Sequence, residues 1–176
     1  MGIELAEKEV LDFFFEAGME ICADDIVMAK RTIVELPGSR VLRYKKPPFL
    51  YVDCYFSVGE KSFGQTGIWH EELRSGPVWG MQYRGWCKDK RAIPFLRRAL
   101  RYAYENRIFV GGRGPKSFRV EDETLSYLNG LLTLNRPHSF SDCEGTEGIF
   151  DLAAKGEAPS HLFHHGYNCL ALVHLS

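Results

Sequence analysis

Residues 49–85 constrain the fold of this chain more than any other stretch. From Leu50 to Val58 the even positions are Leu50, Val52, Cys54, Phe56 and Val58, and the odd positions are Tyr51, Asp53, Tyr55 and Ser57. Strict alternation gives a strand with one face turned to the core and one amphipathic face. Val58-Gly59-Glu60-Lys61 reads as a hairpin turn. A second strand is expected over 62–70, then a turn at Ser75-Gly76-Pro77, then a third strand over 78–87. In that third strand Trp79, Met81 and Tyr83 alternate with Val78, Gly80, Gln82 and Arg84. Strands joined by short turns pair antiparallel, because parallel pairing needs a long crossover.

A helix is expected over 4–17, where Ala6, Val10, Phe13, Phe14 and Ala17 recur at three- and four-residue steps and Gly18 suits a stop. A second helix is expected over 91–105, with Pro94 in its first turn. Its Ala92, Phe95, Leu96, Ala99, Leu100 and Ala103 line one face, and Arg97, Arg98 and Arg101 the other. Between the first helix and the meander, Ile33-Val34 and Val41-Leu42 read as short extended pieces around a Pro37-Gly38 turn. Beyond the Gly111–Pro115 loop, strands are expected near 116–121, 124–133, 136–141, 146–151 and 161–174. The order helix, strands, helix, strands predicts one α+β domain over 1–176: a strongly bent antiparallel meander with two main helices.

The 176 residues fit one domain and can bury roughly two thirds of the unfolded surface without a disulfide or metal. A net charge of −1 gives no global field for nucleic acid or membrane. No apolar run reaches the roughly 20 residues of a membrane span. The acidic, amphipathic start lacks a signal peptide's basic head, so a cytoplasmic protein is expected. The five cysteines are widely spaced and form no CxxC, so they are read as free thiols rather than a disulfide framework or zinc ribbon.

Three constellations carry candidate chemistry. The first is the meander's polar face, where Tyr51, Asp53 and Tyr55 are expected beside Gln82 and Arg84. A buried Asp among tyrosines is a ligand anchor or a general base. The second is Ser160-His161-Leu162-Phe163-His164-His165. On a strand, His161, Phe163, His165, Tyr167 and Cys169 share one face and His164 the other. His161 and His165 are then candidate metal ligands, which His138, Cys143 or Glu147 would complete, though no spacing matches a zinc signature. The third is charge asymmetry. Residues 84–107 are strongly basic and residues 121–176 strongly acidic, which suits a solvated helix face or a homodimer better than nucleic acid. The Gly111-Gly112-Arg113-Gly114-Pro115 loop lacks the lysine of a phosphate-binding loop and reads as a turn. No cofactor motif is present.

Several marks together resemble one bacterial and archaeal domain family of unknown function, found alone or behind an Xre-type helix-turn-helix in predicted transcriptional regulators. They are Leu50-Tyr51-Val52-Asp53-Cys54-Tyr55, Phe63-Gly64, Pro77-Val78-Trp79-Gly80-Met81-Gln82-Tyr83-Arg84-Gly85, Arg113-Gly114-Pro115, Tyr127, Phe140 and Gly145-Thr146-Glu147-Gly148-Ile149. The resemblance spans residues 8–174 and implies a single-domain fold without an assigned activity. The chain departs from the family in having one helix rather than a helix-turn-helix before the strands. It also carries Tyr167-Asn168-Cys169-Leu170 where the family tends to a Tyr-x-Gly-Gly strand.

The leading functional expectation is a non-catalytic domain that binds a small molecule or partner on an aromatic-polar sheet face. Its site residues are Tyr51, Asp53, Tyr55, Trp79, Tyr83, Arg84 and Glu147. The alternatives are a hydrolase using Asp53 or Glu147 as base or a His161/His165 metal, and a homo-oligomeric interaction module.

Overall fold

The three central strands form as expected, and they belong to a larger sheet. The computed structural model describes residues 4–23, 31–73, 75–132, 139–153 and 158–176. The elements run α1 (Glu7–Ala23), β1 (Arg31–Ile33), β2 (Leu36–Lys46), β3 (Phe49–Val58), β4 (Lys61–His70) and β5 (Trp79–Cys87). They continue with α2 (Ala92–Glu105), β6 (Ser117–Arg119), β7 (Leu125–Leu131), β8 (Asp142–Asp151) and β9 (Ser160–Ala171). The strands make one antiparallel sheet of nine in the order β1-β2-β3-β4-β5-β9-β8-β7-β6. It consists of two meanders joined at the β5–β9 seam. The connection through α2 carries the chain from the middle of the sheet to its far edge. With both helices it is a mixed α+β architecture.

Helix α1 runs through Gly18 instead of stopping there. A Cβ on Gly18 would lie 2.8 Å from the Tyr104 ring, so this glycine lets α1 and α2 approach closely. The turn expected at Pro37-Gly38 lies instead at Val34-Glu35. Pro37 and Gly38 are inside β2, in the stretch where the β1–β2 register is irregular, which is where a strand tolerates proline. The segment 136–141 contains no long strand among its described residues: Ser139 makes one bridge to Asp142, and Phe140-Ser141 turn into β8.

The helices cover the odd face of β3. Phe13 stacks on Phe49 at 5.1 Å, and Phe14 meets Trp79 at 5.3 Å and Tyr104 at 5.8 Å. Trp79 stacks on Phe140 at 4.7 Å and donates its ring N–H to the Phe140 carbonyl at 2.7 Å. Burying each of these rings contributes about 1.5–3 kcal/mol. The expected orientation is therefore inverted. Tyr51 and Asp53 lie in the core, while Leu50, Val52, Cys54 and Phe56 are only half-buried on the other face. The phase of β5 decides this. Trp79 and Met81 bury far more apolar surface than Gly80 and Gln82, and register places Asp53 opposite Thr66 and Thr66 opposite Met81.

Cys143 and Cys169 face each other across β8 and β9 and are joined as a disulfide, so two of the thiols expected to be free are bonded. Cys54 and Cys87 remain free. The denatured protein should titrate two thiols fewer before reduction than after it. Cys169→Ser should lower unfolding stability by about 3 kcal/mol, the scale for a loop of this length. Equal thiol counts before and after reduction would contradict the cross-link.

Candidate functional site

The covered face carries a buried polar network built row by row. One row runs Ser57, Ser62, Gly85, His165, Glu147, Asn129 across β3, β4, β5, β9, β8 and β7. The neighbouring row runs Tyr55, Gly64, Tyr83, Tyr167, Gly145, Leu131. Glycines beside tyrosines let the long rings lie flat along the sheet. A Cβ on Gly64 would come within 2.6 Å of the Tyr83 hydroxyl, and one on Gly145 within 2.4 Å of the Tyr167 hydroxyl. Tyr83 thus reaches Asp53, donating to its Oδ1 at 2.8 Å, while Thr66 donates to the same oxygen at 3.0 Å.

Glu147 is the centre of the other half. Arg113 Nη2 donates to its Oε1 at 2.7 Å, and the Tyr127 hydroxyl donates to its Oε2 at 2.7 Å. Burial alone would raise the carboxyl pKa, but the Arg113 charge outweighs it and holds Glu147 at about 2. Arg113 comes from the glycine-rich loop, whose Gly111 and Gly112 have φ of 100° and 65°. The missing side chain of Gly112 lets the loop lie on the Tyr167 ring, where a Cβ would be 2.6 Å away. Asn129 donates to the carbonyls of Gly111 at 2.8 Å and Gly114 at 3.2 Å, and accepts from the Tyr167 hydroxyl at 2.5 Å. The loop is therefore a lid that inserts one guanidinium beneath itself. Sequence reasoning missed Arg113 as the counterion of Glu147. The available signal was a lone arginine between glycines on an otherwise apolar approach.

Ser62, His165 and Glu147 lie in line like a serine–histidine–acid relay. Ser62 Oγ is 3.1 Å from His165 Nε2, and Nδ1 is 3.4 Å from Glu147 Oε1. A relay needs the proton on Nδ1 and a lone pair on Nε2. Arg113 Nη2 lies 3.2 Å from Nδ1, and a guanidinium can only donate. The hydrogen-bond pattern thus assigns Nδ1 as acceptor, leaving Nε2–H to donate to Ser62. Burial, opposed by Glu147 and reinforced by the Arg113 charge, lowers the His165 pKa and keeps the ring neutral. This arrangement holds Ser62; it does not activate it. Both Glu147 oxygens are also occupied by donors, so the carboxylate is not poised as a base.

The expected site residues therefore separate. Tyr51, Asp53, Trp79, Tyr83 and Glu147 are buried on the covered face, with half-buried Tyr55 at its margin. Gln82 and Arg84 lie on the opposite face, so Asp53 pairs with neither. The expected one-sided strand of histidines is broken by a β-bulge between Ile149 and Phe150. There Phe150 pairs with His161 and Ile149 with Phe163, leaving Leu162 extra. One extra residue reverses the phase of the strand beyond it. His161 accordingly stacks on Phe150 at 4.4 Å and lies near His164 at 5.5 Å, while His165 faces Glu147. His161 and His165 cannot share an ion. Among the described residues no group of three metal-ligating side chains converges. His138 lies outside the described residues.

The basic helix meets acids of its own chain. Arg98 makes two hydrogen bonds to Glu123, at 2.6 and 2.5 Å, and Arg91 reaches Asp151 at 3.2 Å. These exposed pairs each contribute little to stability.

The uncovered face is different in kind. Leu36, Phe63, Gln82, Arg84, Asn168 and Leu170 are exposed on it. Two adjoining hollows of about 650 and 550 Å³ share Phe56, Phe63, Arg84, Glu144 and Tyr167. Trp86 and His164 line the larger, and Tyr83, Gln82 and Asn168 the smaller.

Burial raises the pKa of Asp53 from 3.8, against the hydrogen bonds of Tyr83 and Thr66 and the Arg113 charge. A raised folded pKa means the native state holds this proton more tightly than the unfolded chain. Its stabilisation is complete below the unfolded value and is lost as pH rises through the folded one. Asp53→Asn, neutral at every pH, should therefore lose less stability than the wild type as pH rises above about 4 in urea unfolding. An unchanged pH slope would contradict a tightly held proton on Asp53. No protein-family model, curated protein or solved structure matches this chain.

Proposed function

We propose that this is a non-catalytic binding domain that takes a small ligand in the groove of its uncovered sheet face. The observation that carries this reading is the division of labour between the two faces. The helix-covered face satisfies its own polar groups, with Glu147, Arg113, Asp53 and His165 all hydrogen-bonded to one another or to neighbours. The other face leaves a hollow of about 650 Å³, within the usual ligand-pocket range of roughly 300–1,000 Å³. Its walls are aromatic, from Phe56, Phe63 and Trp86, and its charged groups are the cations Arg84 and Lys61, with the Glu144 carboxylate at the far side. Single exposed apolar residues are ordinary on a surface, but a contiguous apolar strip rimmed by polar groups marks an interaction site.

In this reading the buried residues Tyr51, Asp53, Trp79, Tyr83 and Glu147 shape the sheet under the groove, and Arg84 contacts the ligand. The strongly bent sheet expected from the meander is part of the proposal, because a bend toward the uncovered face would deepen the hollow. Working in the cytoplasm and kinship with the regulator-associated domain family are also part of it. In a reducing compartment Cys143 and Cys169 would stand open as two thiols. No helix of the described residues is long and apolar enough to cross a membrane.

The test is a small-molecule screen by NMR on isotope-labelled protein. Hits should shift the amides of Phe63, Arg84, Trp86, His164 and Gly166, and Arg84→Ala should weaken them about tenfold, the size of a lost charge-assisted hydrogen bond. Hits that map to Asp53 and Glu147 on the covered face, with Arg84→Ala unaffected, would contradict the assignment.

A further inference from the structure

The register of the uncovered face sets three kinds of side chain side by side. One row runs Phe56, Phe63, Arg84, Gly166, Thr146. Phe63 stacks on Phe56 with ring centres 5.1 Å apart and is 59% exposed, so one ring face is open to a ligand. A Cβ on Gly166 would meet nothing within 4 Å, which leaves a dip in the floor between Arg84 and Thr146. On one side lies the row Cys54, Gln65, Gln82, Asn168, Glu144. Its three amides stand directly opposite one another, exposed and without a side-chain partner among the described residues. On the other side lies the row Val58, Lys61, Trp86, His164, Gly148. Lys61 is thus the diagonal neighbour of Arg84, close enough for both to act on one group. Neither cation has an ion-pair partner among the described residues.

Each element asks for something different from a ligand. An exposed aromatic face, with a dip on the far side of Arg84, asks for a flat ring. A ladder of primary amides offers paired donors and acceptors, the pattern that reads the edge of a nucleobase. An arginine and a lysine set side by side next to the ring ask for an oxyanion, and a phosphate can be shared by both while the guanidinium grips it bidentately. An apolar ligand would leave the amides and cations unused, and a simple anion would leave the rings unused. The amide ladder is also only one residue wide. The next row on that side is Val52, Gly67, Gly80, Leu170, Asp142, which repeats neither ring nor cation. The face therefore offers room for one base and one phosphate rather than a track for a strand.

Resting on the reading of the groove as a small-ligand site, we propose that its ligand is a nucleotide. Its base spans from the open face of Phe63 toward the dip over Gly166, its edge is read by Gln82 and Asn168, and its phosphate is held by Arg84 and Lys61.

The test titrates AMP, GMP, CMP and UMP into labelled wild type, Arg84→Ala and Phe63→Ala, with adenosine and orthophosphate as part-ligands. Both substitutions are at exposed positions, and folding is checked by the unshifted amides of the covered face. At least one nucleotide is expected to shift Gln82, Arg84, Gly166 and Asn168. Adenosine and orthophosphate should each bind at least about tenfold more weakly, and Arg84→Ala should bring the nucleotide down to the affinity of its nucleoside. Orthophosphate binding as well as any nucleotide would overturn the base contact, and adenosine binding as well as AMP would overturn the phosphate contact. A short single-stranded RNA that binds far more tightly than any mononucleotide, with steep salt dependence, would replace the proposal with a nucleic-acid surface. If no nucleotide binds while other screen hits still map to the groove, the nucleotide inference fails and the groove reading stands. If nothing binds the groove at all, both fail.

Discussion

The ionised Glu147 carboxylate, buried beneath the glycine-rich loop, is the interaction on which the rest of the structure depends. A lone buried carboxylate costs several kcal/mol and would take up a proton instead. Here Arg113 and Tyr127 donate to it, while His165 packs against it and accepts from Arg113, and each ties a different segment to the network. Arg113 fixes the glycine-rich loop, Tyr127 fixes β7, and His165 fixes β9 and, through Ser62, β4. Removing Glu147 or Arg113 leaves the other as a buried charge without its partner. Such a network specifies one register of strands and one seating of the loop, because a one-residue slip would turn every member to solvent.

That specification has a consequence for the opposite face. Strand residues alternate, so pinning Glu147, His165 and Tyr83 inward pins Thr146, Gly166 and Arg84 outward. The hollowed face is thus the reverse side of the network, and its register is set by residues of the covered face. A binding site on paired strands is held more tightly than one on loops.

Much of this architecture was legible in the sequence, and the failures have identifiable causes. The β3–β4–β5 meander followed from alternation and turn residues, and α2 from its three- and four-residue apolar steps. The facing of β3 was misread because Leu50, Val52, Cys54 and Phe56 are more apolar than Tyr51, Asp53 and Tyr55. Yet hydrogen bonds from Tyr83 and Thr66 make Asp53 admissible in the core, and that satisfaction is non-local. The bulge at Leu162 separates His161 from His165, and nothing in the local sequence announces it. Gly18 was read as a stop because close approach to Tyr104, some eighty residues onward, is invisible to helix periodicity. The disulfide escaped for the same reason: Cys143 and Cys169 meet only through the β8–β9 pairing.

The account's central claim is that Glu147 holds the fold while Arg84, on the reverse face, does the binding. Urea unfolding and ligand titration of Glu147→Gln beside Arg84→Ala test it most directly. Glu147→Gln leaves Arg113 buried without its counterion and should lose about 3–5 kcal/mol of stability, while the fraction that stays folded binds groove ligands as the wild type does. Arg84→Ala should show the reverse, wild-type stability with weakened binding. A Glu147→Gln protein of undiminished stability that no longer binds would contradict the account, because it would place the working site on the covered face.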